Sequence, residues 1–259
     1  MIGRIAAARR ELLLREGYLA PPLPWRLAMV PVCGSTERLL DQRKAGWGSG
    51  PLALLAQRQR FGHGQQGRPW VSPHGGVWLS AALPWPPQGA SLAMAAAVGL
   101  ALQLEALGLA PTLKWPNDLL LHNCKVAGLL PRLRLRGSRI QAARVGIGLN
   151  GENPVPAGAI NVGQALALSG QARRQGADAI RLAARVLLAL DWAVAAAVEP
   201  ERVWQEADRR LHGRGQPLLW QGETWMVAGL ARDGGLELRR GAESTILRRR
   251  FAELSPQVA

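Results

Sequence analysis

Short apolar runs that suit strands alternate along this chain with stretches whose apolar positions recur at helical spacing. Trp25 to Val32 reads as a strand, Thr36 to Arg43 as a helix with Ser35 as its N-cap, and Leu52 to Gln59 as a buried strand. The pattern then breaks. Residues 60–76 hold five glycines, two prolines and almost no aliphatic side chains, which predicts a long loop of the kind that carries function. Val77 to Leu83 resumes as a strand, Ser91 to Leu107 as a helix, and Thr112 to Trp115 as a short strand ending in the turn Pro116-Asn117-Asp118. Leu119 to Leu121 and Val126 to Leu135 read as the arms of a hairpin around His122-Asn123, with Arg139 to Leu149 as a further strand. Asp178 to Val198 has the spacing of an amphipathic helix and is followed by a second short helix to about Leu211. From Gly213 short strands alternate with glycine turns, which predicts a small all-β appendage. The expectation is an α+β chain divided into domains at 1–211 and 212–259.

Composition narrows the class without choosing a function. A chain of 259 residues that is 48% hydrophobic can bury a core. The longest apolar stretch, Leu92 to Leu102, is too short to cross a bilayer, and MIGRIAAARRELLLREGY does not read as a signal peptide, so a cytoplasmic protein with no membrane partner is expected. Cys33 and Cys124 have no metal-ligand or redox spacing. The net charge of +14 suits a nucleic-acid binder, an acidic protein partner or an enzyme of phosphorylated substrates. Lysine changes the picture more than charge does. Only three of the 32 basic residues are lysine, and two of those three, Lys114 and Lys125, lie in one segment. Arginine presents a planar fork and lysine a compact ammonium, so a lysine retained in an arginine-rich chain suggests a single oxygen met by a point charge.

Two segments carry chemistry. Gly62, Gly64 and Gly67 are spaced as G-x-G-x-x-G, but Pro69-Trp70-Val71-Ser72-Pro73 cannot start the helix a dinucleotide fold needs. What the loop can do is bring backbone N–H groups close to an anion. In Lys114-Trp115-Pro116-Asn117-Asp118 and Lys125-Val126-Ala127-Gly128, two ammonium groups, an amide and a carboxylate converge if the predicted strand and hairpin form, and the small pair after Val126 leaves room for a ligand.

GSTE at 34–37, GHGQQGRPW at 62–70, KWPND at 114–118, KVAGLL at 125–130 and GIGLN at 146–150 together resemble the biotin protein ligase family. The resemblance implies a mixed-sheet catalytic domain of the biotin/lipoate ligase type, a C-terminal SH3-like β-barrel, and activation of biotin by ATP with Mg2+, whose ligands it leaves unknown. It implies transfer of biotin to a lysine of an acidic biotin carboxyl carrier protein of acetyl-CoA carboxylase, by a monomer or homodimer. By that resemblance Lys125 meets the biotin carboxyl and the α-phosphate, while Lys114 and Arg68 neutralise phosphate charge. Ser35, Thr36, Gln59, Gly62, His63, Gly64, Gln65 and Gly128 join Lys125 around biotin. Asn117 and Asn150 read adenine, with Trp70 against the nucleotide. Asp118, the acid of the KWPND block, is the expected general base or orienting group for the acceptor amine.

The departures matter too. The family's loop usually reads GRGRxGRxW, so His63 and Gln65 stand where arginines are usual, which predicts a more weakly held adenylate. Glu37 stands where an asparagine usually follows Ser-Thr. A lipoate or octanoate ligase or transferase is the alternative on the same fold, although its arginine-plus-triple-glycine motif is absent. A biotin-responsive DNA-binding repressor is disfavoured because fewer than about 30 residues precede the first motif strand, too few for a helix-turn-helix domain with a core.

Overall fold

Apolar runs become strands and the longer periodic stretches become helices in the structure, a computed structural model that describes residues 1–17, 20–43, 50–136, 139–170 and 177–248. The strands of the large sheet are β1 (Arg26–Cys33), β2 (Leu52–Gln59), β3 (Val77–Leu83), β4 (Thr112–Lys114), β5 (Asp118–Leu121), β6 (Cys124–Arg136) and β7 (Arg139–Leu149). They lie in the order β1-β2-β3-β7-β6-β5-β4. Only the β1–β2 pair is parallel, so the sheet is mixed, as expected for the catalytic unit.

Side chains alternate across this sheet. Ala53, Leu55, Leu79, Leu129, Val145, Ile147 and Leu149 turn to the main core, which is closed by α1 (Ile2–Glu16), α3 (Leu92–Glu105) and α5 (Ala179–Ala196). Ala28, Leu52 and Leu54 turn to the other face, where Leu40 of α2 (Thr36–Arg43) covers them. β2 is buried on both faces, which is why its first five residues form an unbroken apolar run. The rest of the α2 face, over β3, β7, β6 and β5, carries the site.

Helices α3 and α5 approach closely at Gly99, where a Cβ would fall 2.2 Å from the backbone oxygen of Ala189. Two buried charges lie on α5. Arg185 pairs with Glu16 at 2.6 Å and hydrogen-bonds Gln103, while Asp191 pairs with Arg9 at 2.5 Å and accepts from Leu23 N and Trp25 Nε1. Both pairs fasten α1, or the segment after it, to the helical layer.

After α4 (Val162–Leu168), α5 and α6 (Pro200–Asp208), a separate four-stranded antiparallel sheet is ordered β11-β10-β9-β8, from β8 (Pro217–Trp220), β9 (Glu223–Leu230), β10 (Leu236–Arg240) and β11 (Glu243–Leu247). It matches the expected C-terminal β unit. The chain enters it past Leu113, whose oxygen accepts from His212 N, and the sheet touches the KWPND turn through Trp115 Nε1, 2.9 Å from Gly234 O.

Three details differ from the sequence reading. Helix α1 was not predicted, although Ile5, Ala8 and Leu12 share one buried face. Helix α4 was not predicted either, although Asn161 and Gln164 form a capping box at its start. The turn occupies Trp115 to Asn117, and Asp118 opens β5 instead of closing the turn. Residues 60–76 are a long loop as predicted, with one 3-10 turn at Gln65–Gly67. Cys33 and Cys124 are free and half-buried.

Candidate active site

Register builds the floor of the site. Ser80, Gly146 and Leu130 sit side by side on β3, β7 and β6, and the next row runs Trp78, Gly148, Gly128 and Asp118. The glycines are there to admit Trp70. A Cβ on Gly148 would lie 2.5 Å from the Trp70 indole nitrogen, and one on Gly128 would lie 2.9 Å from its ring. Trp70 therefore rests on bare backbone, edge-on to Trp78 with ring centroids 6.5 Å apart.

The glycine loop is tied to the end of β1 and across itself. Arg60 N and Phe61 N donate to Cys33 O and Gly34 O, Trp70 N donates to Gly62 O, and Gly64 N donates to Arg68 O. Gly62 is needed for close approach, since a Cβ there would fall 2.6 Å from both Ser72 Oγ and Trp70 O. Between loop and floor lies a cavity of about 370 Å³, large enough for a small metabolite.

At one end a hydrogen-bonded relay crosses three elements. Thr36 N donates to Gln59 Oε1 at 2.7 Å, which fixes the amide with its oxygen toward Thr36. An amide oxygen only accepts, so the Thr36 hydroxyl proton also goes to Gln59 Oε1, at 3.1 Å. Thr36 Oγ1 and Ser80 Oγ are 2.9 Å apart, and since Thr36 has given its proton, Ser80 is the donor there. Gln59 Nε2 then donates to Ser72 Oγ, and Ser72 donates to Trp70 O. The relay runs one way, from Ser80 to the loop.

Glu37 lies beside this relay, 5% exposed, and neither carboxylate oxygen has a hydrogen bond. Arg132 Nε stands 3.4 Å from Oε1 on a largely exposed side chain. Burial pushes the Glu37 carboxyl up from its usual value, and the nearby Arg132 charge only partly opposes this.

At the other end Lys125 Nζ is 2.8 Å from Asp118 Oδ2 and 5.0 Å from the Trp70 ring centroid. Asn117 Nδ2 donates to Leu129 O, and Leu129 N donates back to Asn117 O, so the turn is clamped onto β6. Lys114 and Arg68 line the cavity on exposed side chains, with no ion-pair partner among the described residues. His212 is held below its ordinary pKa by burial and by the charge of Lys114. Gln65 Nε2 is buried without a partner.

Of the predicted site residues, Ser35, Thr36, Gln59, His63, Gly64, Gln65, Arg68, Trp70, Lys114, Asn117, Asp118, Lys125 and Gly128 line one cavity. Gly62 and Asn150 do not. Gly62 packs inside the loop against Ser72 and Trp70, and the Asn150 amide is spent on Ile160 O and Asn153 at the start of the segment leading to α4. Sequence reasoning gave no part to Ser80, Gly146 or Gly148. A lone serine inside the apolar strand VWLSAAL, and two alternate glycines in GIGLN, were the available signals. No group of three or more His, Cys, Asp or Glu side chains able to hold a metal occurs among the described residues, and the Asp118 carboxylate is committed to Lys125.

Residues 30–150 of the chain match the model of the biotin/lipoate A/B protein ligase family. The chain is similar to a biotin–[acetyl-CoA-carboxylase] ligase of Paracoccus denitrificans, 42% identical over 124 residues, covering 44% of this chain and 50% of the relative. It is also similar to the bifunctional ligase/repressor BirA of Escherichia coli K12, 36% identical over 129 residues, covering 47% of this chain and 39% of that protein. Thus the chain spans about half the length, or less, of these curated relatives. Among solved structures, the biotin protein ligase of Aquifex aeolicus in complex with biotin and ATP superposes with a TM-score of 0.65 at 24% identity, over 86% of this chain and 95% of that one. The biotin acetyl coenzyme A carboxylase synthetase of Helicobacter pylori with bound biotinylated ATP gives 0.57 at 21%, over 86% and 98%. At these identities the superpositions establish the fold. No helix of the described residues is long and apolar enough to cross a membrane.

Proposed function

We propose that this chain, whose residues 30–150 match the biotin/lipoate A/B protein ligase family, is an ATP-dependent biotin–protein ligase. It makes biotinyl-5'-adenylate and passes biotin to a lysine of a biotin carboxyl carrier protein, with residues 1–211 as the catalytic unit and 212–259 as the appended β domain. One observation carries this reading. A single cavity joins a polar end suited to a cyclic urea with a cationic end suited to a carboxylate and phosphates.

In the first step a biotin carboxylate oxygen attacks the α-phosphorus of ATP and diphosphate leaves, so two anions must be brought together. Lys125 supplies a point charge where the two meet, kept in line by Asp118 and by the face of Trp70. Lys114 and Arg68 take the phosphates, and neutral His212 adds no competing charge at that end. Asn117 spends its amide N–H on Leu129 O and keeps its oxygen for the adenine amino group. Asn150 acts from behind the nucleotide, holding the end of β7. No group of three or more metal-ligating side chains lies here among the described residues, so Mg2+ would be held chiefly by the ATP phosphates, whose charge it would help to neutralise.

In the second step the acceptor amine attacks the acyl carbonyl and AMP leaves with the bonding electrons. A lysine is neutral in only roughly one molecule in 2,500 at about pH 7, so the amine needs a base. Asp118 orients the amine and accepts its proton.

The test is ATP-dependent transfer of labelled biotin to a carrier domain by the wild type and by Lys125→Arg. Transfer by the wild type and its loss, by about a hundredfold or more, in the variant is the expected result. ATP–diphosphate exchange supported by lipoate and not by biotin would instead assign the site to the lipoate branch of the family.

A further inference from the structure

Glu37 is the one acid in the cavity that nothing in the mechanism uses. The acids lining it are Glu37 and Asp118, and Asp118 is committed to Lys125. A cyclic urea brings two N–H donors and one carbonyl acceptor, so the polar end must offer acceptors as well as donors. The direction of the relay decides which are left. The Gln59 oxygen already receives two protons, from Thr36 N and Thr36 Oγ1. The Thr36 oxygen gives one proton and receives that of Ser80, which leaves it a single open lone pair. With the Ser80 proton directed to Thr36, the carboxylate has the Arg132 ion pair at 3.4 Å but no hydrogen bond.

An anion buried in this state costs free energy until a donor reaches it, and a bond to a charged acceptor is stronger than one to a hydroxyl. The missing Cβ of Gly146 keeps the floor open beside it, since that atom would stand 3.5 Å from Glu37 Oε2. We propose that Glu37 is a specificity-determining residue of this cavity, its carboxylate accepting a ring N–H of the cyclic urea, an inference that rests on the biotin reading above. The carboxylate gives the pocket a preference for a ring that donates, and nothing for a dithiolane to bond.

The probe is 2-iminobiotin, which carries a cationic guanidinium in place of the urea on the same bicyclic frame and side chain. Affinities of the full chain for biotin and 2-iminobiotin are measured by titration calorimetry at neutral pH, for the wild type and Glu37→Gln. If Glu37 faces the ring, the variant weakens 2-iminobiotin more than biotin, shifting the ratio of their affinities by about tenfold or more. The variant should also melt no lower than the wild type, because it removes a buried charge that has no hydrogen bond and only the largely exposed Arg132 as its ion-pair partner. An unchanged ratio overturns the assignment and leaves the biotin reading standing. Binding of neither ligand by the wild type overturns both. A Glu37→Gln chain that no longer folds overturns the assignment too, since the carboxylate would then serve the fold and not the ligand.

Discussion

Lys125 and Asp118 are paired at 2.8 Å, so each sets the position of the other. Asp118→Asn keeps the shape and loses both the charge that steadies Lys125 and the base for the acceptor amine. Transfer from preformed biotinyl-adenylate should slow by about a hundredfold or more in single-turnover assays, and an unchanged rate would remove Asp118 from the second step. Gln65 offers the other residue-scale prediction, because its Nε2 is a buried neutral donor where an arginine would be charged. Gln65→Arg should slow release of the adenylate about fivefold to tenfold, read directly as a dissociation rate. Much of this was legible beforehand. Two of only three lysines fall in neighbouring motifs, and a glycine loop ending in Arg68 and Trp70 stood out from its surroundings. The direction of the Ser80–Thr36–Gln59–Ser72 relay was not legible, because its bonded pairs are 13 to 44 residues apart, on β3, α2, β2 and the loop, and only the fold brings them within bonding distance.

Elements follow the same division. Strands β2 and β3 could be read from apolar runs because they are buried on both faces, and β7 from the alternation of buried and half-buried residues along it. Helix α1 escaped because its stretch was read for a leader, and its cations hide a buried face of Ile5, Ala8 and Leu12. Helix α5 was read as amphipathic, yet it is buried over most of its length and carries Arg185 and Asp191 inside the layer. Its contact with α3 is made by backbone at Gly99. Gly99→Ala would press a Cβ against the Ala189 carbonyl of a packed helix, where overpacking outweighs the gain in helix propensity. Loss of about 2 kcal/mol or more in urea unfolding is expected, and a neutral or stabilising effect would show that the two helices can slide apart.

At the scale of the whole molecule, the contact that Glu16 of α1 makes with Arg185 of α5 is sensitive to acid. Burial raises the Glu16 carboxyl, but hydrogen bonds from Arg185 and Arg15 outweigh it and hold the group below its usual value. A depressed folded pKa stabilises above the unfolded value of about 4.3, and that contribution is lost as pH falls through the lower folded value. Glu16→Gln leaves Arg185 buried without its anion, so the variant should lose about 2 kcal/mol near neutrality and show a flatter acid limb in its melting temperature. Equal losses at neutral and acid pH would place the effect elsewhere. The second sheet is bound at the opposite side, where the Trp115 indole reaches Gly234 and His212 N reaches Leu113. Gly234 lies more than one hundred residues after the lysine turn that Trp115 belongs to. During synthesis on the ribosome the pocket therefore emerges long before its last brace, and a nascent chain can acquire its Thr36–Gln59–Ser80 end well ahead of a settled Lys114 end.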